Sequence, residues 1–516
     1  MPAVEQPLLD ALIPAEQDDL WQGDIPLFTS RPSSRDVWDS RGRRIADLWD
    51  EPSLDAVLAR VRKLSRDDLE RQAWFVRAAL ATRVANAHGS RLPRYELDPR
   101  APAVGRAALV TAALEVGARL DRLARKGDGE AGWWGLTLLA DGWSLAEVGC
   151  DLYSGLSGIA LFLAQLGRTS GVERYTALAG DTVAALLRLL NREALLRQAG
   201  IGAFDGLGGA IYVLCHLARL WRRPELLAAA RRLAAVVDAG VAEDRTFDLM
   251  AGAAGALACL LVLEEQAPGD GALAIATRCG DHLLATAEPM AAGIGWRKRP
   301  DEPPLSGLSH GAAGIAWSLA RLGAATGEQR FTAAAHAALR YERTLRLPGQ
   351  GTWRDLRRLA PAPGQPAAEA APMWAWCHGA PGIGLARLLT APWLDDPACQ
   401  DEIEAAIAST LDRGFGMNHS LCHGDLGNLE LFLHARRLPG GERWQPHIDR
   451  HTAMAVAAID RVGWLCGVPE GLETPGLLTG LAGIGYGLLR LADPDAIPSV
   501  LALAPPAAPA SLAARE

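Results

Sequence analysis

A chain of 516 residues, 49% hydrophobic and 22% charged, has ample apolar material for a large core, and its length exceeds what one compact core usually reaches. Its formal net charge of −8 leaves no basic footprint for nucleic acid. The N-terminal stretch MPAVEQPLLDALIPAEQDDL lacks a secretion-signal pattern, and no run of eighteen charge-free apolar residues follows it, which argues against stable membrane insertion and makes the cytoplasm the default compartment.

In chain order, residues 1–95 have a texture of their own. DLWQGDIPLFTSRPSSRDVWDSRG reads as loop, with Pro26 and Pro32, and the stretch beginning at Pro52 reads as two helices. A Pro- and Arg-bearing segment, HGSRLPRYELDPRAPAVG, then places a domain boundary near residue 95. From there to residue 495 one motif recurs, a Gly-x-x-Gly pair followed by an apolar helical run. The first glycines of its seven copies are Gly155, Gly206, Gly252, Gly311, Gly379, Gly424 and Gly480, spaced by 45 to 68 residues. Each run is apolar nearly all round, as expected of an inner helix buried on every side. Amphipathic stretches from Pro224, Gly271, Glu328 and Asp401 lie between the runs and read as outer helices. Strand-like alternation is almost lacking after residue 100. The expected architecture is an all-α toroid of seven inner and seven outer helices with a short N-terminal helical extension, its loops gathered at one end. Residues 496–516, rich in Pro, Ala and Ser, read as a loose C-terminal tail.

Two copies of the motif carry chemistry. Trp376-Cys377-His378-Gly379 and Leu421-Cys422-His423-Gly424 put Cys377, Cys422 and His423 in equivalent places of neighbouring repeats. Two thiolates and an imidazole are three zinc ligands, and a catalytic zinc keeps its fourth position open. Taken singly, each would read as a buried cysteine or a hydrogen-bonded histidine. Eight cysteines at irregular spacings do not form a secreted disulfide framework. The remaining six, Cys150, Cys215, Cys259, Cys279, Cys399 and Cys466, read as small buried side chains. Phe204, Asp205, Trp317 and Tyr486 are most simply core packing. His423-Gly424-Asp425-Leu426-Gly427-Asn428 is similar to a kinase catalytic loop, but only two residues separate Asp425 from Asn428 where kinases have about four. Both are read as polar groups of the loop and helix start.

These ordered repeats, with Cys in the fifth and Cys-His in the sixth, resemble the lanthionine cyclase (LanC-like) family over roughly residues 100–495. LWQGDIPLFTSRP and the helix RVRKLSRDDLERQ resemble the segment that joins dehydratase to cyclase in class II lanthipeptide synthetases (LanM type). The resemblance implies the C-terminal cyclase portion of such an enzyme, with residues 1–95 a remnant of the dehydratase and linker. The chain's three lysines, Lys63, Lys126 and Lys298, lie in no glycine-rich phosphate loop, so ATP-dependent dehydration is not assigned to it.

What the resemblance implies is zinc-dependent addition of peptide Cys thiolates to dehydroalanine or dehydrobutyrine, giving thioether rings in a ribosomally made precursor. His310 stands at the family's fourth-repeat histidine and is the implied acid/base, with Asp248 orienting it. As simpler roles, His310 would be a satisfied core or capping histidine and Asp248 a helix cap. His378 is a second proton carrier. Some relatives carry an Arg four residues before the first Cys ligand; here that position is Met373, and Arg387 is the substitute. The implied partners are a precursor peptide with Cys and dehydrated Ser or Thr, a separate dehydratase and, by analogy, an exporter that would bring peripheral membrane association. Two other readings stand beside this one: conjugation of glutathione or other thiols to dehydro-residues, and peptide binding without chemistry.

Overall fold

The computed structural model describes residues 6–89, 92–139, 142–357 and 371–507. The chain divides into two compact units, Met1–Phe75 and Val76–Glu516. The first carries the helix Gln6–Leu20, a small antiparallel sheet of Thr29–Ser30, Val37–Trp38 and Arg44–Ile45, and the helix Ser53–Arg62. The sheet's first two strands lie in the stretch expected to be loop, and the third follows directly after it. Its turn is tied by Asp39, whose Oδ1 accepts from the backbone N–H of Arg41 at 3.0 Å and of Arg43 at 2.8 Å. The helix Arg66–His88 runs across the division between the units.

The second unit is the toroid. Its inner helices are Leu156–Ser170, Leu207–Trp221, Ala253–Gln266, Ala312–Thr326, Ala380–Thr390, Asp425–Ala435 and Leu481–Ala492. Each packs on the next, and the seventh packs on the first, so the ring closes. The apolar sequence explains the placement: in the second inner helix every residue from Leu207 to Ala218 is buried. The outer helices are Arg106–Leu123, Glu173–Leu189, Pro224–Gly240, Ala272–Thr286, Gln329–Arg343, Ala398–Arg413 and Gln445–Val462. They bury one stripe only. In Glu173–Leu189 this is Tyr175, Leu178, Ala179, Thr182, Val183, Ala185 and Leu186, the spacing of one helix face.

A closed circle of backbone hydrogen bonds joins the seven repeats. The residue two places before each first glycine donates its N–H to the carbonyl of its counterpart in the next repeat. Tyr153 donates to Phe204 at 2.9 Å, Phe204 to Met250 at 2.9 Å, Met250 to Ser309 at 3.1 Å and Ser309 to Cys377 at 3.3 Å. Cys377 donates to Cys422 at 3.2 Å, Cys422 to Leu478 at 2.8 Å and Leu478 back to Tyr153 at 2.8 Å. These loops would otherwise hold buried peptide groups without partners, and the circle satisfies them while fixing seven side chains in one register. Gly379 shows why the motif needs glycine: its φ is +94°, and a Cβ there would overlap the carbonyl of Met373.

Two expectations are corrected. Strand structure does occur after residue 100, though little of it: the antiparallel hairpins Arg125–Gly127 with Glu130–Gly132 and Trp134–Leu139 with Gly142–Glu147, and the short pair Glu288–Pro289 with Ile294–Gly295. The second is anchored by Asn86, which bonds both the N–H and the carbonyl of Trp143. The tail expected to be loose from residue 496 is docked as far as Ala504. Ile497, Val500, Leu501 and Leu503 are buried. The carbonyls of Pro498, Leu501 and Ala504 accept from Tyr486 Oη at 2.8 Å, Trp376 Nε1 at 3.3 Å and Tyr212 Oη at 2.9 Å. The polar tips of Tyr212, Trp376 and Tyr486 need partners within the ring, and the tail supplies them along with apolar side chains. Residues 508–516 lie outside the described residues.

Candidate metal centre

The circle places the two Cys-His loops side by side. Ligand atoms of Cys377, Cys422 and His423 lie within 4.8 Å of one another. Both cysteines are buried. The two thiols behave as one group: a hydrogen bond from Cys422 holds Cys377 well below the ordinary thiol range, and the same bond with burial pushes Cys422 up. His423 Nε2 lies 3.1 Å from the carbonyl of Gly467. Donation there fixes the tautomer and leaves Nδ1 as the lone-pair donor, the outer support that metal-binding histidines usually have. Gly467 has no room for a side chain, since a Cβ would stand 2.7 Å from both His423 Nε2 and Ser420 Oγ. The donor set suits zinc, because two soft thiolates and an imidazole in a buried site are its common ligands.

A second cluster sits beside the first. Asp248 is buried; its Oδ1 accepts from the N–H of Ala251 at 2.8 Å, and its Oδ2 meets His310 Nδ1 at 2.7 Å and the ammonium of Lys298. One oxygen of the carboxylate thus ties the loop ahead of the third inner helix and the other orients His310, while the helix cap itself is Gly252 and not Asp248. Burial works to raise the pKa of Asp248, but the hydrogen bond and charge of His310 and the charge of Lys298 hold it below the usual carboxylate range. The His310 side chain is 31% exposed, so its ring reaches the mouth of the ring while its Nδ1 is held. Its ring stacks on His378, centroids 5.6 Å apart. His378 is buried, its Nε2 has no hydrogen-bond partner among the described residues, and burial followed by Arg357, His310 and Lys298 lowers its pKa well below the ordinary value. Ser309 Oγ donates to the carbonyl of Cys377 at 3.0 Å, which locks the His310 loop to the Cys377 loop.

Arg387 is not part of this site. It is fully buried between the inner and outer helices, where its Nη2 meets Glu342 Oε2 at 2.8 Å and its Nε meets Glu402 Oε2 at 2.6 Å. Glu342 Oε1 in turn accepts from the N–H of Gly307 at 2.8 Å and of Ala313 at 3.2 Å, so the network steadies the loop of His310 from behind. The guanidinium at the thiols is that of Arg357. It is paired with Asp355, touches Met373 Sδ at 3.3 Å, and stays charged against the pull of burial through Asp355 and the two cysteines. Arg357, Lys298 and Tyr153 were not found by sequence reasoning. Tyr153 alone carried a signal, since it occupies the same motif position as Cys377 and Cys422. Asp425 and Asn428 are taken up by structural hydrogen bonds: Asp425 accepts from Gly416 N–H at 2.8 Å and from the Tyr95 hydroxyl, and Asn428 Nδ2 donates to the carbonyls of Trp374 at 2.8 Å and Gly414 at 2.7 Å.

Comparison with known proteins follows the same outline. The family model described as lanthionine synthetase C-like protein matches residues 146–502. The lacticin 481/lactococcin biosynthesis protein LcnDR2 of Lactococcus lactis subsp. lactis is 25% identical over 201 residues, 36% of this chain and 20% of that protein. The nisin biosynthesis protein NisC of the same organism is 27% identical over 90 residues, 17% of this chain and 22% of that protein. The chain therefore aligns with about a fifth of the length of each. Among solved structures, nisin cyclase superposes with a TM-score of 0.55 at 19% identity, covering 77% of this chain and 96% of that one, which shows the shared toroid. No helix of the described residues is long and apolar enough to cross a membrane.

Proposed function

Because the chain belongs to the lanthionine synthetase C-like family, we propose that it closes thioether rings in peptides, adding a cysteine thiol of the substrate across the double bond of a dehydrated Ser or Thr. The observation that carries this reading is the meeting of Cys377, Cys422 and His423 within 4.8 Å, beside the Asp248–His310 pair. A zinc ion held by these three donors would supply Lewis acidity, drawing the proton from an incoming thiol whose ordinary pKa of about 8.5 leaves it mostly protonated at neutral pH.

The remaining steps fall to the chain's own groups. Addition of sulfur to the alkene moves the π electrons toward the neighbouring carbonyl, so negative charge grows there and a proton is needed at the α-carbon. His310 is placed to move that proton, since Asp248 holds Nδ1 and leaves Nε2 for the substrate side. Lys298 keeps Asp248 ionised. His378 backs the same wall, its buried ring stacked on that of His310. Arg357 adds positive charge near the thiols, favouring anionic sulfur and the growing oxyanion.

The match to a fifth of LcnDR2 supports reading this chain as the cyclase portion of a class II synthetase, acting on a precursor peptide dehydrated by a separate activity. The test is incubation of the full chain with a synthetic peptide bearing one cysteine and one dehydroalanine, with and without glutathione. Loss of the free thiol at constant mass is expected. A mass gain equal to glutathione would favour thiol conjugation, and unchanged peptide in both samples would sink the enzymatic reading.

A further inference from the structure

A site that gathers thiolates around one ion and admits an alkene faces a problem of selectivity. Cys377, Cys422 and the substrate's sulfur are chemically alike, yet only the last is to attack. Alkylation of a protein ligand would form a permanent sulfur–carbon bond and end the enzyme's life.

The structure treats the two cysteines differently. The hydroxyl of Tyr153 lies 3.3 Å from Cys422 Sγ. Cys377 Sγ faces its fellow ligands Cys422 and His423 and the field of Arg357, and Tyr153 acts on it through charge, whereas it hydrogen-bonds Cys422. Tyr153 reaches Cys422 because the backbone circle sets it there: Leu478 donates to the carbonyl of Tyr153 at 2.8 Å and accepts from the N–H of Cys422 at 2.8 Å, linking first, seventh and sixth repeats through one residue. Asp151 Oδ1 fixes the same loop by accepting from the N–H of Ser154 at 2.7 Å and of Gly155 at 3.1 Å. A tyrosine hydroxyl facing a thiolate has one role open to it, that of donor.

We propose that Tyr153 is a positioning residue that donates a hydrogen bond to the Cys422 thiolate and so keeps this ligand from reacting with the dehydro-residue while the substrate sulfur does. The inference rests on the ring-closing reading above. Hydrogen bonding to a charged sulfur draws electron density from its lone pairs, and thiolate nucleophilicity falls as that density is withdrawn, with a Brønsted slope of about 0.4–0.5. The bond also occupies the flank of Cys422 that faces the first repeat, which leaves the sulfur fewer directions of attack. In the reaction avoided, a sulfur lone pair would bond to the alkene β-carbon, the π pair would move toward the carbonyl, and solvent would protonate the α-carbon; no oxidant or reductant takes part.

The test is Tyr153→Phe in the full, zinc-loaded chain, treated with N-ethylmaleimide as the alkene and followed by peptide mapping. Alkylation of Cys422 should be faster than in the parent chain by on the order of three- to tenfold, with Cys377 unchanged. In the cobalt-substituted proteins the sulfur-to-cobalt charge-transfer band should move to lower energy in the variant, and its presence shows that the site has formed. Equal alkylation of Cys422 in both chains, a rise shared equally by Cys377, or an unmoved band would overturn the role of Tyr153. A parent chain that binds neither zinc nor cobalt would overturn the ring-closing reading with it.

Discussion

Replacing Arg387 by Met separates a structural arginine from a catalytic one. The side chain is wholly buried, and its loss leaves two carboxylates to account for. Glu402 keeps a partner, Arg343 Nε at 2.9 Å. Among the described residues Glu342 keeps the backbone N–H groups of Gly307 and Ala313. One uncompensated carboxylate in the interior corresponds to about 3–5 kcal/mol. With a urea dependence of roughly 3 kcal/mol per M, the unfolding midpoint of Arg387→Met should fall by about 1–2 M. Adding Glu342→Gln removes the stranded charge while its amide oxygen still accepts from Gly307, so the double variant should regain about half of the loss. Urea titration followed by circular dichroism reads the stability, and chelator competition on the folded fraction reads the site. The reasoning is refuted if Arg387→Met unfolds within about 1 kcal/mol of the parent and yet loses ring closure, which is the behaviour of a group that touches substrate.

Other expected outcomes are read in the same way. Asp248 has a folded pKa below its ordinary 3.8, so its stabilisation is complete above that value and is lost as pH falls through the depressed one. Asp248→Asn should flatten this acid limb in a pH series of thermal unfolding, and an unchanged limb would contradict the pairing with His310 and Lys298. Gly467→Ala pushes a methyl group against His423 and should weaken zinc binding by roughly ten- to a hundredfold in chelator competition, while the unfolding midpoint of the metal-free chain moves little. Leu503→Ala should cost about 2–4 kcal/mol of stability because this residue is buried within the toroid, whereas a loose tail would show no loss.

The toroid was legible in the sequence because its repeat is physical: an inner helix buried on all sides must be apolar all round, and its tight entry must be glycine. Cys377, Cys422 and His423 were legible because they stand in register with those glycines. Arg387 was misread because its partners, Glu342 and Glu402, lie on two outer helices that the sequence offers no way to bring together. Lys298 and Arg357 sit in connections outside the repeats, where no periodicity marks which side chains turn inward. The docked tail was hidden by its Pro, Ala and Ser composition, although Ile497, Val500, Leu501 and Leu503 are spaced within it as a short apolar plug. Tyr153 shared the cysteines' register, but an aromatic residue beside glycines reads first as packing.

The central claim is that one ion is held by the fifth and sixth repeats. Metal content of the purified full chain, compared with that of Cys422→Ser prepared alongside, tests it most directly. The parent should carry about one zinc per chain and the variant a small fraction of that. A parent chain free of zinc, or a variant that retains it undiminished, would contradict the account.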